Sequence, residues 1–265
     1  MRENYKDFDA NAEAYHIIAW IKDRFSDVGR GKKAILGISS GKDSTVAAAL
    51  CAKALGPENV IGVIMPDGEM NPDDYQSAIE ICTYLDITYH VVNIGETTNA
   101  LYAAVMNSSK VEYSPQNYYG VVTNTPARIR MTTLYMFAMM NDGLVINTCN
   151  ASEDYIGYST KYGDAAGDIS PLGEYTATEI FAIGDALGLP TTLVHRIPSD
   201  GMCGCSDEEN FGFTYAELDD YIRNDVLPED ADVLASIKHM NKISRHKYRL
   251  IPTCRPEMFT MDFNF

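Results

Sequence analysis

Residues 34–45 read Ala-Ile-Leu-Gly-Ile-Ser-Ser-Gly-Lys-Asp-Ser-Thr and constrain this chain more than any other stretch. An apolar run, Ala34 to Ile38, stops at a Ser/Gly turn, and a helix-compatible run from Thr45 to Leu55 follows. A buried strand feeding a tight loop and a helix start gathers backbone N–H groups at the positive end of a helix dipole, a ready anion site. Gly37 and Ile38 lead into the loop, Ser39, Ser40 and Ser44 offer hydroxyls, and Gly41 allows close backbone approach. Asp43 is the odd member, because a carboxylate beside phosphates is repulsive unless a cation lies between them. The loop therefore reads as a polyphosphate cradle with a magnesium ligand built in. The plainer reading, an ordinary strand-to-helix turn, has no use for an acid flanked by hydroxyls.

This is not a Walker A loop, which needs four residues between its glycines and Ser or Thr directly after its lysine. Only three residues separate Gly37 from Gly41, and Asp43 stands between Lys42 and Ser44. The pattern resembles the Ser-Gly-Gly-x-Asp-Ser pyrophosphate loop of the N-type ATP pyrophosphatases. That resemblance implies cleavage of ATP between its α and β phosphates.

Hydrophobic spacing predicts helices over 9–26, 44–55, 97–108 and 124–141, and a further helix from Pro72 to about Leu85 with Asn71 as its cap. Strands are predicted at 33–38, 60–65, 88–94 and 144–148. Continuous apolar strands alternating with helices indicate an α/β fold with a doubly wound, mostly parallel sheet flanked by helices. Ligands in such sheets bind beyond the carboxyl ends of the strands. Segments 39–44, 65–68 and 148–153 all fall there. Further on, Thr176/Glu179 and Thr214/Glu217 are capping boxes that open helices, a helix is expected over 231–243, and 198–210 reads as a loop, mobile or simply exposed.

Lys and Arg number 21 against 37 Asp and Glu, a formal net charge of −16. An acidic surface argues against a nucleic-acid or anionic-membrane footprint. No apolar run approaches the roughly 20 residues of a membrane span, and the N-terminus lacks a signal-peptide core, so a cytoplasmic setting is expected. The six cysteines are too scattered for a disulfide framework. Cys203 and Cys205 form the one close pair and read as loop cysteines rather than a metal site.

Thr148-Cys-Asn-Ala-Ser-Glu153 follows the fourth strand, so Thr148 and Glu153 can face the same cleft as Asp43. Two carboxylates with phosphate oxygens and waters suit one magnesium ion. Arg128 and Arg130 are read near a helix start and point to different sides, one toward a ligand and the other toward an acid.

At this point the chain as a whole resembles the ammonia-dependent NAD synthetases. The resemblance rests on SSGKDS at 39–44, NTPARIRM at 124–131, TCNASEDYIGYSTKYGD at 148–164, GDISPL at 167–172, IPSD at 197–200, SDEENFGFTYAELDDYI at 206–222 and SRHKYRLIP at 244–252. It implies an adenine nucleotide alpha hydrolase-like fold and one synthetase domain over 1–265, with no glutaminase domain. It also implies ATP-dependent adenylation of the nicotinate carboxylate of deamido-NAD, followed by displacement of AMP by ammonia. Implied roles put Gly37, Ile38, Ser39, Ser40, Gly41, Lys42, Asp43, Ser44, Thr148 and Ser199 on ATP. Asp43 and Glu153 fall on magnesium, and Arg128, Lys161, Asp168, His246 and Lys247 on deamido-NAD. Asp43, Glu153 and Lys161 are the implied catalytic residues, and a homodimer is implied as well.

The chain departs from the family pattern in three places. Ser40 replaces a loop glycine, Ala177 replaces an ATP-contacting lysine, and Tyr248 stands where an arginine follows the His-Lys pair. Lys42 offers a replacement for the charge missing at 177. Two other readings keep the nucleotide site: a tRNA-thiolating or purine-amidating relative, and a nucleotide-binding regulator without turnover. Thiolation would favour a basic face and paired cysteines, which this sequence lacks.

Overall fold

The structure, a computed structural model, describes residues 8–28, 32–108, 114–196 and 207–254. Its first half runs α1 (Ala10–Asp27), β1 (Lys33–Gly37), α2 (Lys42–Leu55), β2 (Val60–Ile64), α3 (Pro72–Tyr84), β3 (Thr88–Val91), α4 (Gly95–Ser108), α5 (Pro115–Met140) and β4 (Gly143–Val145). It continues with α6 (Ala151–Ile156), α7 (Ala177–Ala186), α8 (Thr191–Val194), α9 (Asp207–Phe211), α10 (Tyr215–Asn224) and α11 (Ala231–Ser244). The four strands are parallel in the order β3-β2-β1-β4, with Ile35 of β1 in register with Ile61 on one side and Val145 on the other.

The central strands are apolar on both sides because helices cover both faces. Ala34, Leu36, Val60 and Ile64 pack with α1, α2 and α7, through Ile17, Ile21, Val46, Leu50, Ile180 and Ile183. Ile35, Ile61 and Val63 face α5, through Leu134 and Ala138. A third cluster, Ile156, Ala177, Phe211, Phe213, Tyr215, Leu218 and Ile237, joins α6 and α7 to the three C-terminal helices. Gly157 takes φ +72, and a β-carbon there would overlap that of Ser244. This close approach carries the end of α11, and with it His246 and Lys247, over the mouth of the sheet.

Among the boundaries that differ from the sequence reading, four bear on the site. α2 starts at Lys42, so Lys42, Asp43 and Ser44 form its first turn. β3 stops at Val91 and β4 at Val145. α5 starts at Pro115 rather than at 124, so Arg128 and Arg130 lie mid-helix, not near an N-terminus. Pro126 lies inside that helix; it has no N–H for the Val122 carbonyl, and the Tyr102 hydroxyl donates to that carbonyl at 3.4 Å instead. Residues 207–210 of the expected loop are helical, while 197–206, with Ser199, Cys203 and Cys205, lie outside the described residues. Among the described residues no helix is long and apolar enough to cross a membrane.

Candidate active site

The carboxyl end of β1 runs into an open helix start. Gly41 caps α2 with extended backbone, and no side chain bonds to the first N–H groups of the helix. Those donors and the helix dipole face the mouth of the sheet. The left-handed position falls on Ser40, at φ +69, not on Gly41, at φ −80. Ser40 thus keeps a conformation that glycine adopts freely. It is 1% exposed, and its hydroxyl has no hydrogen-bond partner. Ser39 and Ser44 bind one another, Oγ to Oγ at 3.2 Å, and the Ser44 hydroxyl also donates to the Gly41 carbonyl. Gly37 ends β1 and the buried Ile38 donates its N–H to the Val63 carbonyl, which aligns the loop with β2.

Asn150 joins this loop to α6. Its side chain accepts the Glu153 N–H at 3.0 Å as a helix cap and donates to Asp43 Oδ1 at 3.0 Å. Its own N–H donates to Glu153 Oε2 at 3.2 Å. One fully buried asparagine therefore contacts both expected metal-binding carboxylates, which arrive from segments more than a hundred residues apart. Burial first, then the Asp43 charge, push the Glu153 carboxyl well above the usual carboxylate range, against the pull of Lys42. Thr148, half-buried, lies in the same turn between β4 and α6.

Ser152, beside Glu153, is anchored from below. Its hydroxyl donates to Asp219 at 2.5 Å and accepts the Ala177 N–H at 2.9 Å. Asp219 also takes the N–H and hydroxyl of Thr178. The start of α7 is thereby satisfied internally, and Ala177 belongs to the third core cluster.

A second group of cations gathers where α5, the 157–164 loop and the end of α11 meet. Arg128 Nε donates to the Lys161 carbonyl at 3.3 Å, and Lys161 Nζ to the His246 carbonyl at 2.8 Å. Lys247 Nζ donates to the Gly157 and Ser159 carbonyls, both at 2.7 Å. Burial depresses the Lys247 charge, and Arg128 adds to that. Tyr248 contacts the Ser159 hydroxyl and pins the segment. On a chain of net charge −16 this is a local concentration of positive charge, suited to anionic ligands.

The family model described as NAD synthase matches residues 13–252. The chain belongs to the NAD synthase family. The NH(3)-dependent NAD(+) synthetase of Finegoldia magna is 38% identical over 86% of this chain and 89% of its own length. That of Carboxydothermus hydrogenoformans is 35% identical over 88% and 93%. Among solved structures, an NMN synthetase from Francisella tularensis superimposes with a TM-score of 0.83 at 31% identity, covering 94% of this chain and 99% of that one. The NH3-dependent NAD synthetase of Campylobacter jejuni gives 0.75 at 25% identity, covering 94% and 100%.

As an NAD synthase, the chain gathers its expected site residues in two places. Residues 37–44 lead into and form the open start of α2, and Glu153 is joined to Asp43 through Asn150, with Thr148 in the turn that precedes it. Arg128, Lys161, His246 and Lys247 form the basic cluster. Asp168 contacts neither group: its carboxylate accepts the Val145 N–H at 2.7 Å and the Tyr135 hydroxyl at 3.4 Å. Arg130 contacts the Met65 carbonyl, near Asp67 and Asp164, at the end of β2. Sequence reading missed Asn150, Tyr215, Phe181 and Asp207. The Asn150-x-x-Glu153 spacing of a helix cap is the signal that could have marked the first; the others fall in core or loop segments.

Proposed function

We propose that the two clusters are the ATP and deamido-NAD halves of one active site, which catalyses ATP-dependent amidation of deamido-NAD by ammonia to give NAD, AMP and pyrophosphate. The observation that carries this is the uncapped start of α2 joined through Asn150 to a carboxylate pair, with a separate set of cations at the same end of the sheet. Residues 37–44, Thr148 and Ser199 bind ATP, with the α2 amides on its phosphates. Arg128, Lys161, His246 and Lys247 hold the anionic dinucleotide, with Asp168 fixing the loop beside β4. Binding both nucleotides at one mouth sets a nicotinate carboxylate oxygen against the α phosphorus. That bond forms as the bond to pyrophosphate breaks, and ammonia then displaces AMP from the acyl carbon.

Magnesium suits the donor set. Asp43 and Glu153 are hard oxygen ligands, and among the described residues no group of three or more His, Cys, Asp or Glu is arranged to hold a metal. Two carboxylates leave room for waters and phosphate oxygens, as magnesium demands. When bound there, the ion would neutralise charge on the departing pyrophosphate. Asn150 orients both ligands, and Lys161 positions the substrate beside them.

We read residues 1–265 as one synthetase domain, in keeping with matches that span 89% and 93% of the relatives' lengths. Cys51, Cys82, Cys149 and Cys254 are unpaired, which fits a reducing cytoplasmic setting. Exposed apolar side chains on α4 and α5, Leu101, Val105, Tyr119, Met136 and Met139, support a homodimer that covers part of these helices. Sedimentation of wild type against Met139→Glu tests it; a monomeric wild type refutes it.

A second reading follows from the Francisella neighbour: the mononucleotide could be amidated in place of the dinucleotide, giving NMN. Purified protein with ATP, magnesium, ammonium and both deamidated nucleotides in competition decides between them. The account expects NAD, AMP and pyrophosphate in equal amounts. Preferential NMN formation would favour the second reading, and ADP formation would exclude both.

A further inference from the structure

The phosphate loop carries a cation that already occupies one of the carboxylates it needs for metal. Lys42 opens α2, and its Nζ turns onto Asp43 Oδ2 at 2.9 Å; the two side chains are 10% and 16% exposed. The ammonium lies over two aromatic faces, 4.9 Å from the Tyr215 ring centre and 5.5 Å from that of Phe181. The Tyr215 hydroxyl is tied to Asp207 at 3.1 Å, which fixes its ring beneath the charge. The other Asp43 oxygen accepts from Asn150. Each oxygen of Asp43 thus has a donor, and one donor is a full positive charge.

A divalent cation at Asp43 would share that carboxylate with the ammonium, and two cations so close repel strongly in a shielded site. Aromatic faces hold an ammonium weakly and do not lock it in one place. The four-carbon stem of a lysine lets its head move by several ångströms without disturbing the backbone. We infer that Lys42 is a tethered counter-ion: it neutralises the Asp43/Glu153 pair in the free protein and moves onto substrate phosphate when a divalent cation enters. This rests on the reading of Asp43 and Glu153 as metal ligands. It also explains how a carboxylate pair this shielded is tolerated before substrate arrives.

The test uses full-length protein without nucleotide and Mn2+ alone as the probe, with unbound metal followed by its paramagnetic resonance signal. Lys42→Met keeps the stem against both rings and removes the charge. It is expected to bind Mn2+ at least about tenfold more tightly than wild type, since a charge-assisted contact no longer has to be broken. Lys42→Arg keeps the charge and is expected to bind as weakly as wild type. Lys42→Gln serves as a second uncharged variant should the Met form fold poorly, with the same gain expected. Adding Asp43→Asn to Lys42→Met is expected to abolish the gain. If Lys42→Met and Lys42→Gln bind Mn2+ no more tightly than wild type, while Asp43→Asn removes binding, the counter-ion role is refuted and the metal site stands. If the gain survives Asp43→Asn, the metal reading itself fails and takes the counter-ion role with it.

Discussion

Asn150 Nδ2 lies 3.0 Å from Asp43 Oδ1, while Asn150 Oδ1 accepts the Glu153 N–H at the same distance. A helix cap thereby sets the spacing of two carboxylates carried by distant segments. Asn150→Ala removes a cap and a buried bond to a charged group, so a loss of about 1–3 kcal/mol is expected. If Asn150 positions the metal ligands, the magnesium concentration for half-maximal rate rises at least severalfold while KM for deamido-NAD holds. Titrating the rate against each ligand checks this. An equal rise in both would reduce Asn150 to a packing residue.

Glu153 is held above its ordinary pKa by burial and by Asp43. An acid whose folded pKa is raised makes ionisation costly in the native state. The cost appears as pH rises past the unfolded value and is relieved as pH falls through the folded one. Glu153→Gln keeps an acceptor for the Asn150 N–H and removes the charge. In metal-free buffer at neutral pH it is expected to raise Tm by about 2–4 °C, the equivalent of roughly 1 kcal/mol at this size. The advantage shrinks as the buffer is acidified, and turnover is lost. Thermal scans over pH read the first effect. A variant less stable than wild type at neutral pH contradicts this account of the pair.

Ser40 holds φ +69 with a buried, unpartnered hydroxyl. Glycine at this position removes a conformational cost of about 1–2 kcal/mol and leaves no orphaned donor. Ser40→Gly is therefore expected to raise the urea midpoint by that equivalent with little change in activity. A lower midpoint would mean that the serine hydroxyl contributes a bond in solution.

Asp219 accepts from Ser152 and from both donors of Thr178, beneath the turn that carries Glu153. Asp219→Ala leaves the buried Ser152 hydroxyl and both donors of the exposed Thr178 without this acceptor, and a cost of about 1–3 kcal/mol is expected. Equilibrium unfolding measures it. A cost under about 0.5 kcal/mol would show that water replaces the carboxylate.

The sequence carries the site unevenly, for physical reasons. The strand, turn and helix around Ser39–Ser44 announce themselves because local periodicity and local hydrogen bonding govern them. The capping boxes at Thr176 and Thr214 are equally local and both form. The start of α5 was hidden by Pro126, which argues for a helix boundary; a hydroxyl from Tyr102, on another helix, supplies what the proline lacks. Lys42 over Tyr215 joins residues far apart in the chain, and no spacing rule reports such a contact. Asn150 has the spacing of a cap to Glu153, but nothing local marks it as a partner of Asp43, because that bond depends on how β1 and β4 lie side by side.

The central claim is that the substrate carboxylate is activated by adenylation at the mouth of this sheet. Deamido-NAD labelled with heavy oxygen in its nicotinate carboxylate tests it most directly, with the products separated and weighed by mass spectrometry. The account predicts one labelled oxygen in the phosphate of each AMP released. Label in pyrophosphate or free phosphate, with unlabelled AMP, would contradict it.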